Sequence, residues 1–317
     1  LKSRIIVRLV ASALLCLCGT ALASFDAGLA PFKLHFGEEP AEYHTMLYSV
    51  LPERTVPVAV PDPGNAVFEL YADGGTLSRT GPYSWDWAAP AEPGYHALRV
   101  ERNDGETVTL QVFVLRPREH AKNGMLNGYR VGEYPRRPLR DNPIYQAPDG
   151  FIEVPENMLD LPVSPHFTLG QFLCKQQSDS WPKYLALRGE LLSKLEVLLA
   201  ETNRRGIRTE TFFIMSGFRT PAYNEAIGNV AYSRHVWGGA ADIFIDNDGD
   251  GIMDDINDDG RHDIKDALVL HRIAVDLSEN GIWRQLLGGL GLYGPRSHRG
   301  AFVHVDARGY KARWEVP

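Results

Sequence analysis

Apolar and polar positions alternate through the first third of the chain. Val67-Phe-Glu-Leu-Tyr71, Tyr95-His-Ala-Leu-Arg-Val100 and Thr107-Val-Thr-Leu-Gln-Val-Phe-Val114 read as strands, because a period of two puts alternate side chains on opposite faces of a sheet. Ala72-Asp-Gly-Gly75 and Arg102-Asn-Asp-Gly105 supply turn residues between them. Short strands at this spacing predict an all-β sandwich of immunoglobulin type over residues 25–117, with Trp85 and Trp87 as packing residues. Residues 118–165, rich in Pro, Gly, Asn and Arg, lack a period and read as a strap or linker.

Beyond residue 165 the period lengthens. Tyr184, Leu187, Leu191, Leu195 and Leu198 predict an amphipathic helix over 182–200, with Ser180 as its N-cap and Gly206 past its end. Thr211-Phe-Phe-Ile-Met215 reads as a buried strand. Ile264, Leu268, His271 and Val275 predict a second helix over 264–280, in which His271 is a satisfied helix histidine. The order helix, strand, loop, strand, helix, strand is that of an α+β domain over 166–317.

Composition narrows the compartment. Lys2, Arg4 and Arg8 precede the apolar run Leu9–Leu17, and Ala21-Leu22-Ala23 follows it, the pattern of a secretory signal peptide over residues 1–23. The run is short for a membrane span, so the expectation is a periplasmic or secreted protein with no transmembrane segment after cleavage. Cys16 and Cys18 lie in that leader, which leaves Cys174 alone and excludes an intramolecular disulfide in the mature chain. The net charge of −7 is local. Asp246, Asp248, Asp250, Asp254, Asp255, Asp258 and Asp259 account for it, and no basic stripe points to nucleic acid.

The candidate chemistry lies in two places. Ser233-Arg-His-Val-Trp-Gly-Gly-Ala-Ala-Asp242 sets His235 and Asp242 around a pair of glycines, ahead of the apolar run Ile243-Phe-Ile245. A carboxylate at the mouth of a buried strand is costly unless it is paired or holds a metal. Phe302-Val-His-Val-Asp306 alternates, so His304 and Asp306 share one strand face. Two histidines and an aspartate are ligand types of a catalytic zinc that keeps one position open.

Ser233-x-His235-x-x-Gly238-x-Ala240-x-Asp242 with His304-Val-Asp306 resembles the M15 peptidases, which include zinc D-Ala-D-Ala carboxypeptidases and murein endopeptidases and share their fold with the hedgehog signalling domain. Ser216-Gly-Phe-Arg219-Thr-Pro-Ala-Tyr223-Asn224 resembles an upstream segment of the same family, and Gly289–Tyr293 and Arg313-Trp314 its C-terminal surroundings. The resemblance spans about 166–316. It implies that His235, Asp242 and His304 hold zinc, that Arg219 faces and grips a substrate carboxylate, and that Ser233 contacts substrate or holds its loop. Many members place a Glu or His two or three residues before the last ligand; here Ala301 and Phe302 stand there. Asp306 is then the nearest candidate for the general base, or else a partner that orients an imidazole, with His298 as a weaker base.

The acidic stretch 246–260 reads as an insertion of its own. Asp246, Asp248, Asp250, Ile252 (through its carbonyl) and Asp254 occupy the ligand positions of an EF-hand-like calcium loop, with Gly251 at the turn and Asn257 at position twelve instead of Glu. The whole predicts a secreted zinc metallopeptidase, carboxypeptidase or endopeptidase, acting on peptidoglycan peptides. The rival is a non-catalytic zinc-containing module that binds the cell wall.

Overall fold

The computed structural model describes residues 24–280 and 287–317. The leader expected over 1–23 lies outside the described residues. Among those described, no helix is long and apolar enough to cross a membrane.

Residues 35–114 build two sheets. One has five antiparallel strands in the order Glu39–Pro40, His35–Phe36, Thr55–Ala59, Ser84–Ala88, Thr76–Gly81. The other has four, ordered Thr45–Val50, Thr107–Val114, Gly94–Arg102, Phe68–Ala72, with its first pair parallel. Alternation drives both. Val58, Trp85 and Trp87 of the first sheet and Leu98, Val100, Val108, Leu110 and Val112 of the second are all buried in the core. Burying a large aliphatic or aromatic side chain contributes about 1.5–3 kcal/mol, so this row accounts for much of the stability of the region.

The segment 118–165 is more than a linker. Gly150–Val154 is the middle strand of a three-stranded sheet, between Arg116–Pro117 and Lys183–Leu185. That pairing corrects the predicted helix over 182–200. Tyr184 pairs with Glu153 on a strand, and helix α1 begins only at Gly189 and runs to Arg204. Its N-cap is Arg188, which makes no side-chain cap, so Ser180 has no such role. The cause is non-local. Residues 183–187 are buried throughout, and a strand partner about thirty residues upstream outweighs the helical spacing of their apolar side chains.

The second sheet of the α+β region carries the candidate chemistry. Its order is Phe213–Ser216, Ala240–Phe244, Phe302–Asp306, Gly289–Tyr293, Ala312–Val316, antiparallel except for the last pair. Ala241, Ile243, Leu290, Leu292, Val303 and Val305 bury into one core with Leu191, Leu195 and Leu198 of α1. Ala267, Leu270, Ile273 and Ala274 of α2 (Ile264–Glu279) join the same core. Helix α2 starts on a capping box formed by Asp263 and Asp266, which satisfies two otherwise open backbone donors. His271, expected to be satisfied, is buried with no partner at Nε2 among the described residues.

Candidate metal centre

Asp242 and His304 face each other across neighbouring strands, in register, and Ala240 pairs with Asp306 two residues along. The period of two then sends all their polar side chains to the face opposite the valines. His235 reaches the same place from a single 3-10 turn, Arg234–Trp237. Gly238 ends that turn at φ +64, and a Cβ there would stand 2.1 Å from the Ala186 carbonyl oxygen. Only glycine meets both demands. The Ser216–Arg219 segment closes the fourth side. The Arg219 amide donates to the His235 carbonyl at 3.2 Å.

Three atoms converge. His304 Nδ1 is 2.8 Å from Asp242 Oδ1, His235 Nε2 is 3.3 Å from the same oxygen, and the two nitrogens are 3.3 Å apart. All three residues are buried, at 2 % exposure for His235, 4 % for Asp242 and 7 % for His304. The far side of each is committed. His235 Nδ1 donates to the Gly217 carbonyl at 2.7 Å. His304 Nε2 donates to Asp306 Oδ2 at 3.1 Å. Asp242 Oδ2 accepts from Arg219 Nη2 at 2.6 Å. With those tautomers, two imidazole lone pairs and one carboxylate oxygen point at a common centre with no proton between them. Such a set is satisfied by a cation. Ligands held about 2.0–2.1 Å from a tetrahedral ion stand roughly 3.3–3.4 Å from one another, which is the separation of the two nitrogens. The donor set of two nitrogens and one oxygen suits zinc.

Electrostatics agrees. Burial works to raise the Asp242 carboxyl, but the His235 and His304 imidazoles outweigh it and hold the group well below 3.8. Burial lowers His235. Burial also works to lower His304, yet the Asp242 and Asp306 carboxylates prevail and raise it above 6.5.

Asp306 does not have the surroundings of a proton acceptor, which corrects its expected role as general base. Its carboxylate is fully buried and accepts from His304 Nε2, the Gly289 amide at 2.8 Å and the Arg308 guanidinium at 2.5 Å and 2.9 Å. Burial tends to raise it, but His304 and Arg308 hold it far below the usual carboxylate range. It orients His304, the alternative kept open by the sequence. Arg308, which the sequence reading missed, carries no motif of its own and is recognised only through this contact.

Arg219 has a task beside the expected one. Its Nε donates to Ser216 Oγ at 2.8 Å and its Nη2 to Asp242, so it steadies a member of the trio. Ser233 is half-buried at the entry to the His235 turn, where its carbonyl accepts from the Val236 amide. His298 lies exposed in the loop before the His304 strand. Trp237 is packed, not open to a cleft. Its Nε1 donates to the Gln146 carbonyl at 2.9 Å, and its ring meets Tyr145 at 5.4 Å and Tyr134 at 5.7 Å. Cys174 is buried in the core, and burial raises its thiol, which leaves it unreactive.

The acidic loop is arranged otherwise. Carboxylate oxygens of Asp246, Asp248 and Asp254 lie within 4.8 Å of one another. Asp246 accepts from the amides of Gly249, Asp250 and Gly251, Asp250 from that of Ile252, and Asp254 from Asn247. Asn257, the expected contact at position twelve, donates its side-chain amide to Asp266 Oδ1 at 2.8 Å, on the first turn of α2.

A buried two-histidine, one-aspartate centre on an antiparallel sheet is the kind of site a metallohydrolase uses. Residues 166–257 match the family model described as Peptidase M15. His304 and Asp306 lie beyond the matched residues. No curated protein matches the chain. Among solved structures, a nucleoside hydrolase-related hypothetical protein from Saccharophagus degradans, associated with carbohydrate metabolism, is similar at 14% identity and a TM-score of 0.20. That match covers 28% of this chain and 26% of the other, and at that score it carries no argument.

Proposed function

We propose that the chain is a secreted zinc metallopeptidase that cuts peptide bonds in peptidoglycan stem peptides or their cross-links. The observation that carries the reading is the convergence of His235 Nε2, His304 Nδ1 and Asp242 Oδ1 with every outward-facing atom already hydrogen-bonded. These three residues would hold the zinc. A bound zinc supplies Lewis-acid polarisation of a carbonyl and water made acidic enough to attack it near neutral pH. The chain's own groups fix the geometry. Gly217 and Asp306 set the two imidazole tautomers, and Arg219 holds the free oxygen of Asp242. The leader pattern at residues 1–23 supports export to the periplasm or beyond. Residues 25–117 form, on this reading, an immunoglobulin-like unit ahead of a peptidase domain of hedgehog type. The loop at Asp246, Asp248 and Asp254 is read as a calcium site, supported by the closeness of those three carboxylates.

The test is digestion of purified peptidoglycan by the mature protein, with zinc and with chelator, followed by mass spectrometry of the products. A released terminal amino acid identifies a carboxypeptidase, and opened cross-links or shortened stems an endopeptidase. A zinc-loaded protein that binds peptidoglycan but releases nothing would replace this reading by that of a non-catalytic wall-binding module, which the clamped Asp306 and apolar Ala301 favour.

A further inference from the structure

The orientation of His304 is fixed from further away than Asp306. Asp306 alone offers two carboxylate oxygens and free rotation about its side-chain bonds, so a lone hydrogen bond to His304 would fix the ring poorly. Arg308 removes that freedom. Its Nε lies 2.9 Å from both Asp306 oxygens, its Nη2 2.5 Å from Oδ2, and its own amide 3.1 Å from Oδ1. A fork of this kind specifies direction as well as charge. The guanidinium is itself held, 5.3 Å from the Trp314 ring centre and 5.7 Å from that of Tyr310. Trp314 returns to the centre: its ring lies 5.1 Å from His304, and its Nε1 donates to the Tyr293 hydroxyl at 2.8 Å. Gly289 and Gly291 make the arrangement possible. A Cβ on the first would stand 2.3 Å from Asp306 Oδ2, and on the second 2.4 Å from Trp314 Nε1.

We infer that Arg308 is a positioning residue for the metal centre: by gripping Asp306 it makes His304 keep its proton on Nε2 and present Nδ1, the nitrogen beside Asp242. His235 needs no such device, because a main-chain carbonyl, Gly217, already fixes its opposite tautomer. The inference rests on the zinc reading of the trio, and its test separates the two.

Zinc affinity is measured by competition with a chromophoric chelator, and the His304 tautomer by nitrogen-15 NMR of the zinc-loaded protein. Wild type should bind zinc and show His304 protonated at Nε2. Arg308→Gln should bind roughly ten- to a hundredfold more weakly and show His304 no longer confined to one tautomer, while Arg308→Lys recovers part of the loss. If the Gln variant does not fold, Arg308→Lys alone is compared with wild type and should still bind measurably more weakly, because it keeps the charge without the fork. Adding Arg308→Gln to Asp306→Asn should cost little more than Asp306→Asn alone, since Arg308 acts through that carboxylate. Wild-type affinity and a single tautomer in Arg308→Gln, or a loss that simply adds to that of Asp306→Asn, overturns the positioning role and leaves the zinc centre standing. Absence of zinc binding in the wild type overturns both.

Discussion

Two groups of side chains that could hold a cation lie close along the chain, the His235, Asp242 and His304 trio and the carboxylates of Asp246–Asp254, and they treat a cation differently. At Asp242 the surroundings are dry, and each outward atom has one fixed partner, so the inward atoms have nothing to bond to except an ion or a proton. In the acidic loop the carboxylates are partly or fully open to water, and main-chain amides already take up much of their bonding capacity. Spacing along the chain suggested both as metal sites. Burial and the direction of the remaining lone pairs separate them, because an unbalanced charge is costly in a dry site and nearly free in a wet one.

The largest expected effect tests the first cluster. His235→Ala or His304→Ala should take zinc from about one per chain to near zero by elemental analysis, with circular dichroism showing the sheets of residues 35–114 intact. Full zinc content in both variants would remove the distinction between the clusters. A smaller effect concerns pH. Burial works to lower His304, but Asp242 and Asp306 raise it above 6.5, and in its charged form a proton on Nδ1 must leave before an ion binds there. Zinc affinity should therefore rise with pH through that raised pKa and level off above it, and fall on the acid side, where the proton competes. Affinity that does not change from acid to neutral pH would contradict the assigned ligand atom. The smallest effect belongs to the loop. Calcium at a hundredfold excess over its dissociation constant would add about 2.7 kcal/mol of stability, seen as a higher melting midpoint and lost in Asp248→Asn with Asp254→Asn. A midpoint indifferent to calcium after chelator treatment would assign those carboxylates to the loop's own amides alone.

The sequence carried the period-two strands of the first region and the face shared by His304 and Asp306, because those follow from local alternation. It also carried the second helix, whose stripe and acidic start are contiguous. It misread 183–187 because the deciding partner, Gly150–Val154, lies in a stretch with no pattern of its own. The ligand set was legible as a resemblance. The bonds of Arg219, and which of its two expected roles Asp306 fits, were not, since the spacing shows which face a side chain takes but not what already occupies its hydrogen bonds. Asn257 shows the same limit: its spacing does not reveal that its side-chain amide is bonded to Asp266.

The segment before residue 165 also bears on how portable the centre is. The Gln146 carbonyl receives the Trp237 indole, the Ile144 carbonyl receives Arg234 and Arg188, and the Tyr134 hydroxyl donates to the Val236 carbonyl. The turn that carries His235 is thus propped by chain some ninety to a hundred residues upstream. The centre is therefore not a cassette that begins where the family match begins. Excised from residue 166 onward, it would leave the Tyr145 face of Trp237 bare and Arg234 without its carbonyl. A transplant that keeps its shape has to bring the 134–146 segment with it.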